Sequence, residues 1–534
     1  MTKTPEEWLA YLTAKMDKER PRTDLLRSYT NGSSPLPEMG PNLAKAWLKF
    51  QRRARTNPGK LVVSALADRL IPNGVTVGAS EDSPAAQAAS RIWRDNRLKV
   101  VFADAIWDAA TLGRGYLLVT QDEDGRACVT YERPEHMYVE PDPVRPWRAL
   151  AAVKVWRDPT AGVDHLVMWT PGLRMSYTRS AYDKSRQLIS RVSGDWRLDL
   201  GGVQPFEGAP PVVVLENRFG MGEFEHVLDL IDRINWQTLQ RLVIISMQAF
   251  RQRALKSAEG SAGLPAEDES GNAIDYQAIF EPSPAALWEL PPGVEIWESS
   301  QTQITEILNA TKDDWRELAA ETATPISIML PDSANQSAAG AEQPQKALLS
   351  KAGDRIERFK PALAYLIVKA LSVEGYALDE AETVEVLFVP PHAVSLTEKY
   401  AAAVQARNAG EALETIQRNI LGYSPEQIAQ DKQRRAEEQL ALAFALQDKP
   451  QPQLTDEAAT PSPGGDPADL KLRFDALGTA IRAGVAPESA SEVVGLDGIR
   501  FTGAVPVALR LPETQSATLE ENSNAGPGLA QPPH

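Results

Sequence analysis

The residues able to do acid–base or metal chemistry are dispersed along the chain. The five histidines, His136, His165, His226, His392 and His534, show no metal-ligand spacing. Cys128 is the single cysteine, which excludes an intrachain disulfide and a cysteine-based metal site. The acidic pairs Asp229/Asp232 and Asp313/Asp314 have the residue types of a nuclease's metal ligands. They fall in helix-patterned stretches, however, where such pairs form solvated faces. Neither a G-x-x-x-x-G-K-[ST] phosphate loop nor a G-x-S-x-G nucleophile elbow occurs. Gly113-Arg114-Gly115 is too short to cradle a phosphate chain. No catalytic residue, metal site or cofactor is assigned, so the chain reads as non-enzymatic.

Charge narrows the class of partner. Lys and Arg number 56 against 72 Asp and Glu, a formal net charge of −16. A protein that grips DNA usually carries a basic footprint, because affinity comes largely from releasing phosphate counterions. The opposite balance here suits simple solubility, or a surface past which DNA slides without sticking. The most basic stretch, KAWLKFQRRARTNPG, holds Lys45, Lys49, Arg52, Arg53 and Arg55; it can face DNA, an acidic neighbour or solvent. At 534 residues the chain should divide into roughly two to four parts. No run approaches the about 18 consecutive apolar residues of a membrane span. The N-terminal MTKTPEEWLAYLTAKMDKER lacks the apolar stretch of a secretory signal.

Long helical patterns must position whatever these residues do. In 223–255 apolar residues recur at Phe224, Val227, Leu228, Ile231, Ile234, Leu242, Ile245 and Ala249, close to the helical period. About 30 residues at 1.5 Å each predict a rod of roughly 45 Å. Residues 257–300 leave it, beginning polar and ending in strand-like pieces at 286–290 and 294–298 around Pro291-Pro292-Gly293, which predicts a hairpin. A second helix returns over 301–322, with Ile304, Ile307, Leu308, Trp315 and Leu318 on one side. The apolar stripes of these two helices have little partner material within a thin stem, so packing against neighbouring copies is expected.

Residues 323–345 read as a loop. It carries small and amide side chains, Asp332 and Glu342 as its only charges, and Pro325, Pro331 and Pro344 as stiffeners. A third helix, 346–371, contains Pro361 and should kink there. Upstream, helices are expected at 6–18, 60–70 and 85–112. Strands are expected at 116–121, 127–131, 137–139, 151–157, 165–170 and 212–216, with turns such as Asp124-Gly125 between them. The pattern predicts an α+β domain of antiparallel hairpins. Downstream, 384–389 reads as a buried strand and 396–410, 411–421 and 425–446 as helices, the last opened by Ser424, Pro425 and Gln427 in a capping-box arrangement.

The order helix, excursion, helix, Thr324-Pro325, a loop with Asn335-Gln336-Ser337 and Gly340, then a long helix resembles the portal proteins of tailed bacteriophages. LIDRIN (230–235) and QAFRQRAL (248–255) are similar to the branch common in siphophages of actinobacteria. The resemblance spans residues 5 to about 446 and a smaller C-terminal piece. It implies an α+β, mostly helical portal fold with wing, stem, clip and crown regions. The N-terminal arm and wing would occupy 1–222, the first long helix 223–256, the clip hairpin 257–300 and the second stem helix 301–322. The tunnel loop would be 323–345, a kinked wing helix and strand 346–395, and crown-like helices 396–446. A linker, 447–466, a small C-terminal module, 467–512, and a disordered tail, 513–534, complete the chain.

The resemblance further implies a dodecameric ring at one capsid vertex of the virion, assembled in the host cytoplasm and away from membranes. Double-stranded DNA would pass through it, and terminase, the major capsid or scaffold protein and a head–tail adaptor would dock on it. Asp332, Ser333, Asn335, Gln336, Ser337, Gly340 and Glu342 would line the DNA channel, unless the loop is merely disordered. Trp288 and Trp297 of the clip would anchor docked partners or pack on each other across the hairpin. Two rivals stand beside this reading: an unrelated helical ring or scaffold protein that never meets DNA, and a metal-dependent nuclease.

Overall fold

The computed structural model describes residues 3–38, 44–78, 83–181, 189–206, 208–249, 253–257, 266–267, 270–275, 294–298, 304–330, 338–378, 383–391 and 396–447, with 473–474, 476–477, 491–493 and 495–496. Its contacts divide the chain into two units, Met1–Ala441 and Leu442–His534. The fold is α+β and mostly helical.

Helix α1, Pro5–Asn31, opens with a capping box in which the Thr4 hydroxyl accepts the Glu7 N–H and the Glu7 carboxylate accepts the Thr4 N–H. It runs well past the expected 6–18 and through Pro21, because both halves are buried against different partners. Trp8, Leu12 and Met16 enter one core, and Leu26 and Tyr29 another. Tertiary packing of this kind outweighs the backbone bond that Pro21 removes. Helices α2 (Ala44–Ala54) and α3 (Pro58–Ala67), strand β1 (Pro72–Val77), and helices α4 (Pro84–Asp95) and α5 (Leu98–Leu112) follow.

Strands β2 (Arg114–Gln121), β3 (Ala127–Glu132), β4 (Met137–Pro141), β5 (Ala149–Asp158), β6 (Val163–Thr170), β7 (Leu173–Ser180), β8 (Arg197–Pro205) and β9 (Val212–Glu216) form two antiparallel sheets, β3-β2-β9 and β4-β5-β6-β7-β8. Every strand expected between 116 and 216 lies inside one of them. Strands β7 and β8 were not expected: β7 alternates Leu173, Met175 and Tyr177 with polar residues, and β8 runs through Gly201-Gly202, residues that more often mark turns. The β2–β3 turn is built as expected on Asp124-Gly125, with the Asp122 carboxylate accepting the Asp124 and Arg126 N–H groups.

Gly113-Arg114-Gly115 has a packing role. Gly113 ends α5 in the left-handed region, at φ +88, and a Cβ there would lie 2.1 Å from the Gly220 carbonyl oxygen. A Cβ on Gly115 would lie 2.1 Å from the Ala105 carbonyl oxygen. The glycines thus let β2 and the 217–222 segment close directly on α5. Gly115→Ala is expected to destabilise the chain by about 1–3 kcal/mol through overpacking against backbone, read as a lower denaturant midpoint. An unchanged midpoint would show that α5 and β2 can separate freely.

After a 3-10 turn at Glu225–Val227 come helix α6 (Leu228–Ala249), strands β10 (Arg253–Ser257) and β11 (Val294–Glu298), helix α7 (Ile304–Glu321), the single turn α8 (Ile326–Met329) and helix α9 (Ala338–Val373). Three expectations change here. The first rod ends at Ala249, giving 22 residues and about 33 Å, and 253–257 is a strand. That strand pairs antiparallel with β11, setting Arg253 opposite Glu298 and Lys256 opposite Glu295. The piece 286–290, expected to pair with 294–298, lies outside the described residues. Finally, α9 starts at Ala338 and is unbroken through Pro361. Alanine is the best helix former, so Ala338, Ala339 and Ala341 extend the helix into the expected loop.

Strand β12 (Val384–Phe388) pairs antiparallel with β1. Helix α10 (Leu396–Asn408), the turn α11 (Leu413–Ile416) leading into a π turn at Gln417–Leu421, and helix α12 (Pro425–Gln447) follow. Ser424 and Gln427 exchange the expected capping-box bonds at 3.2 and 2.9 Å. The largest core joins α4, α5 and the buried face of α9 to the β3-β2-β9 sheet and the β1–β12 pair. Phe102 and Phe359 are its largest fully buried side chains; each contributes about 1.5–3 kcal/mol of burial. In the second unit the described residues include short helical pieces at 473–474, 476–477 and 491–493, and Leu477 is buried.

Candidate functional site

The segment from α7 to α9 is held at its base by a buried charge cluster. Glu223, just ahead of α6, fixes its own backbone by donating its N–H to the Ala110 carbonyl at 2.8 Å. Its carboxylate accepts from Arg355 at 2.6 and 3.3 Å, from Lys351 at 2.7 Å and from the Asn217 side-chain amide at 2.9 Å. Glu223 and Arg355 are only 4% and 7% exposed. Burial alone would raise the Glu223 pKa, but the Lys351 charge and the Arg355 hydrogen bond hold it below the ordinary carboxylate range.

Lys351 also donates to the Thr322 carbonyl at 2.9 Å. One lysine of α9 therefore ties the end of α7 to the start of α6. Beyond Thr322, Ala323 turns the chain in the left-handed region, at φ 50. The Thr324 N–H returns to the Ala319 carbonyl at 2.9 Å, and Met329 of α8 is buried among Val62, Val63, Phe224 and Ile231. The sequence reading missed this cluster. The available signal was the i, i+4 spacing of Lys351 and Arg355, which puts two cations on one side of the helix beside the apolar Leu348, Ala352 and Phe359.

Of the expected channel residues, Asp332, Ser333, Asn335, Gln336 and Ser337 lie outside the described residues. Gly340 and Glu342 are in the opening turns of α9. Of the two clip tryptophans, Trp288 lies outside the described residues, and Trp297 stands opposite Ala254 in the β10–β11 pair.

Helices α6 and α7 pack on each other, and Arg233 reaches across to Asp314 at 3.0 Å and to Glu317. Phe224, Val227, Leu230, Ile231 and Ile234 are buried with residues of α1, α3 and α7, so the first half of the α6 stripe finds its partners within the chain. Ile245 and Leu308 remain exposed. The acidic pairs are split among separate partners. Asp232 accepts from the Tyr29 hydroxyl at 2.6 Å while Asp229 is exposed, and Asp313 pairs with Arg316 while Asp314 pairs with Arg233. Burial, opposed by the Tyr29 bond, raises the Asp232 pKa. No cluster of three or more His, Cys, Asp or Glu suited to a metal occurs among the described residues.

His165 stacks on Trp156 with ring centres 5.2 Å apart. His136 has its pKa lowered by burial, and His226 lies 3.4 Å from the Glu321 carbonyl. His392 and His534 are outside the described residues. In the basic stretch, Lys49, Arg52 and Arg53 are exposed on α2, and Arg55 is half-buried.

The family model described as "Phage portal protein, SPP1 Gp6-like" matches residues 9–439. No curated protein sequence matches the chain. Among solved structures, a chain of the "Neck of native GTA particle computed with C12 symmetry" is 13% identical, with a TM-score of 0.38, over 75% of this chain and 99% of that one. A chain of the "Neck of empty GTA particle computed with C6 symmetry" is 14% identical, with a TM-score of 0.39, over 73% of this chain and 96% of that one.

Proposed function

The chain belongs to the SPP1 Gp6-like phage portal family, and we propose that copies of it close into a dodecameric ring at one capsid vertex, through which double-stranded DNA is packaged and ejected. The observation that carries this reading is the family match over residues 9–439. The family is a structural one, and no catalytic role is assigned here. In this ring 1–222 forms the arm and wing, α6 and α7 the stem, the segment closed by β10 and β11 the clip, and 323–345, including the opening turns of α9, the tunnel segment. The helices within 396–446 form the crown. The clip docks terminase during packaging and a head–tail adaptor afterwards, while the wing meets the capsid or scaffold protein. The ring resides in the virion after assembly in the host cytoplasm. No helix among the described residues is long and apolar enough to cross a membrane.

The β10–β11 pairing supplies a clean test. Residues 258–293 are replaced by an Asn-Gly turn, which keeps the two strands in register. Electron micrographs of the unaltered chain should show rings with an axial hole. The shortened chain should give the same rings but no longer bind terminase. An unaltered chain that stays monomeric at micromolar concentration in several salts would refute the ring. Terminase binding that survives the replacement would remove docking from the clip.

A further inference from the structure

We infer that the basic face of α2 seats against the acidic outer face of α7 in the next copy of the chain, joining copies head to tail; this rests on the ring reading above. Helix α6 packs against both α2 and α7. The Asn235 side-chain oxygen accepts the N–H and hydroxyl of Thr56, just beyond α2, at 2.8 and 2.7 Å. Arg233 grips Asp314 and Glu317 of α7. Positions 233 and 235 are two residues apart, hence about 200° around a helix. The contacts at 233 and 235 therefore leave α6 on different sides, with α7 and α2 both packed against it.

The outer faces of the flanking helices carry opposite charge. On α2, Lys49, Arg52 and Arg53 are exposed, away from the buried Gln51 and Ala54. None of the three forms an ion pair among the described residues. On α7, Glu306, Asp313, Glu317 and Glu321 recur at i, i+7, i+11 and i+15, one helical stripe. All four are exposed, away from the buried Thr311, Leu318 and Ala319. Asp313 and Glu317 pair with Arg316 and Arg233 yet leave their side chains 69% and 55% exposed. Glu306 and Glu321 have no ion pair among the described residues.

On a chain of net charge −16, an unpaired basic stripe runs against the background, and a single copy leaves both edges uncompensated. A heterologous contact repeated around a closed ring covers each edge with the other. It aligns opposite charges and suppresses a wrong approach.

The test uses two full-chain variants altered only at exposed positions. One carries Lys49→Glu, Arg52→Glu and Arg53→Glu. The other carries Glu306→Lys, Asp313→Lys and Glu321→Lys and leaves Glu317 on Arg233. Assembly is followed by native mass spectrometry and analytical ultracentrifugation, with melting curves as the check on folding. Each variant alone should assemble roughly tenfold to a hundredfold more weakly than the unaltered chain. The defect should ease as salt shortens the screening length from about 10 Å at 0.1 M to about 3 Å at 1 M. Mixed in equal amounts, the variants should form closed species in which the two alternate, because each then presents its altered face to a complementary one.

Normal assembly of either variant alone would overturn the contact, as would a mixture of two folded variants that stays unassembled. Rings of the α2 variant that form normally but lose retention of double-stranded DNA would assign that face to nucleic acid instead. An unaltered chain that never assembles removes the ring reading together with this contact. An assembling unaltered chain beside indifferent variants removes the contact alone.

Discussion

Glu223→Gln is expected to destabilise the folded chain by about 3–5 kcal/mol, because it leaves Lys351 without its counter-charge and Arg355 with only the half-exposed Asp354. Arg355 is 7% exposed and the Lys351 side chain 14% exposed, so water cannot replace the lost carboxylate charge. The comparison that isolates the charge is a variant carrying Glu223→Leu, Lys351→Met and Arg355→Met together, which removes all three partners. It should recover much of the loss, since an apolar substitute for a buried ion cluster is often neutral or stabilising. Chemical denaturation of both variants, each beside the unaltered chain, gives the answer; a Glu223→Gln midpoint within error of the unaltered one would mean that the cluster is hydrated.

The same cluster predicts a pH dependence. The folded pKa of Glu223 is depressed, so its contribution is fully present above the unfolded value, about 4.3 for an ordinary glutamate. It is lost as pH falls through the folded value. The gap between the unaltered chain and Glu223→Gln should therefore hold constant near neutrality and narrow only below about pH 4.3. Lys351 also carries the Thr322 carbonyl. The cluster thus links the root of the α7–α9 connection to the root of α6, and loosening it should be felt at both.

Local signals were readable in the sequence where one residue type has one dominant use. Ser424 and Gln427 announced the start of α12, Asp124-Gly125 the β2–β3 turn, and the apolar runs at 116–121 and 212–216 two strands of one sheet. What could not be read depended on partners far along the chain. Pro21 looks like a stop until Leu26 and Tyr29 are seen packed with Phe224 and Ile231. Arg253–Ser257 continues a helical period in sequence, but its partner strand lies beyond the excursion at Val294–Glu298. Glu223, Lys351 and Arg355 are ordinary charged residues until the fold brings them together. Of the proposed channel segment, composition told most: residues 331–345 have two acids and no Lys or Arg. The helical turns from Ala338 were hidden by Gly340 and Pro344, residues that elsewhere mark loops.

Rings carrying Ser337→Lys or Ala339→Lys should still assemble but package DNA slowly or stall, with partial relief as salt rises. Ala339 lies in the first turn of α9 and Ser337 immediately precedes that helix. A lysine there costs only about 0.3–1 kcal/mol against the helix dipole, too little to prevent folding. Its effect on DNA is multiplied, because a ring repeats each substitution in every copy and turns one charge into a belt. A belt that reaches 6–10 phosphates would lose roughly a thousandfold to a hundred-thousandfold in affinity between 50 and 200 mM salt, so a stalled duplex should move again within that range. The measurement is packaged DNA per particle against time, unaltered beside substituted rings, at two ionic strengths and with ring incorporation confirmed. Unchanged rates would take this segment out of the constriction. A defect of the same size at both salts would mean that the added side chains obstruct the duplex by bulk, and the native segment's lack of Lys and Arg would then need a reason other than avoiding strong ion pairs with passing phosphates.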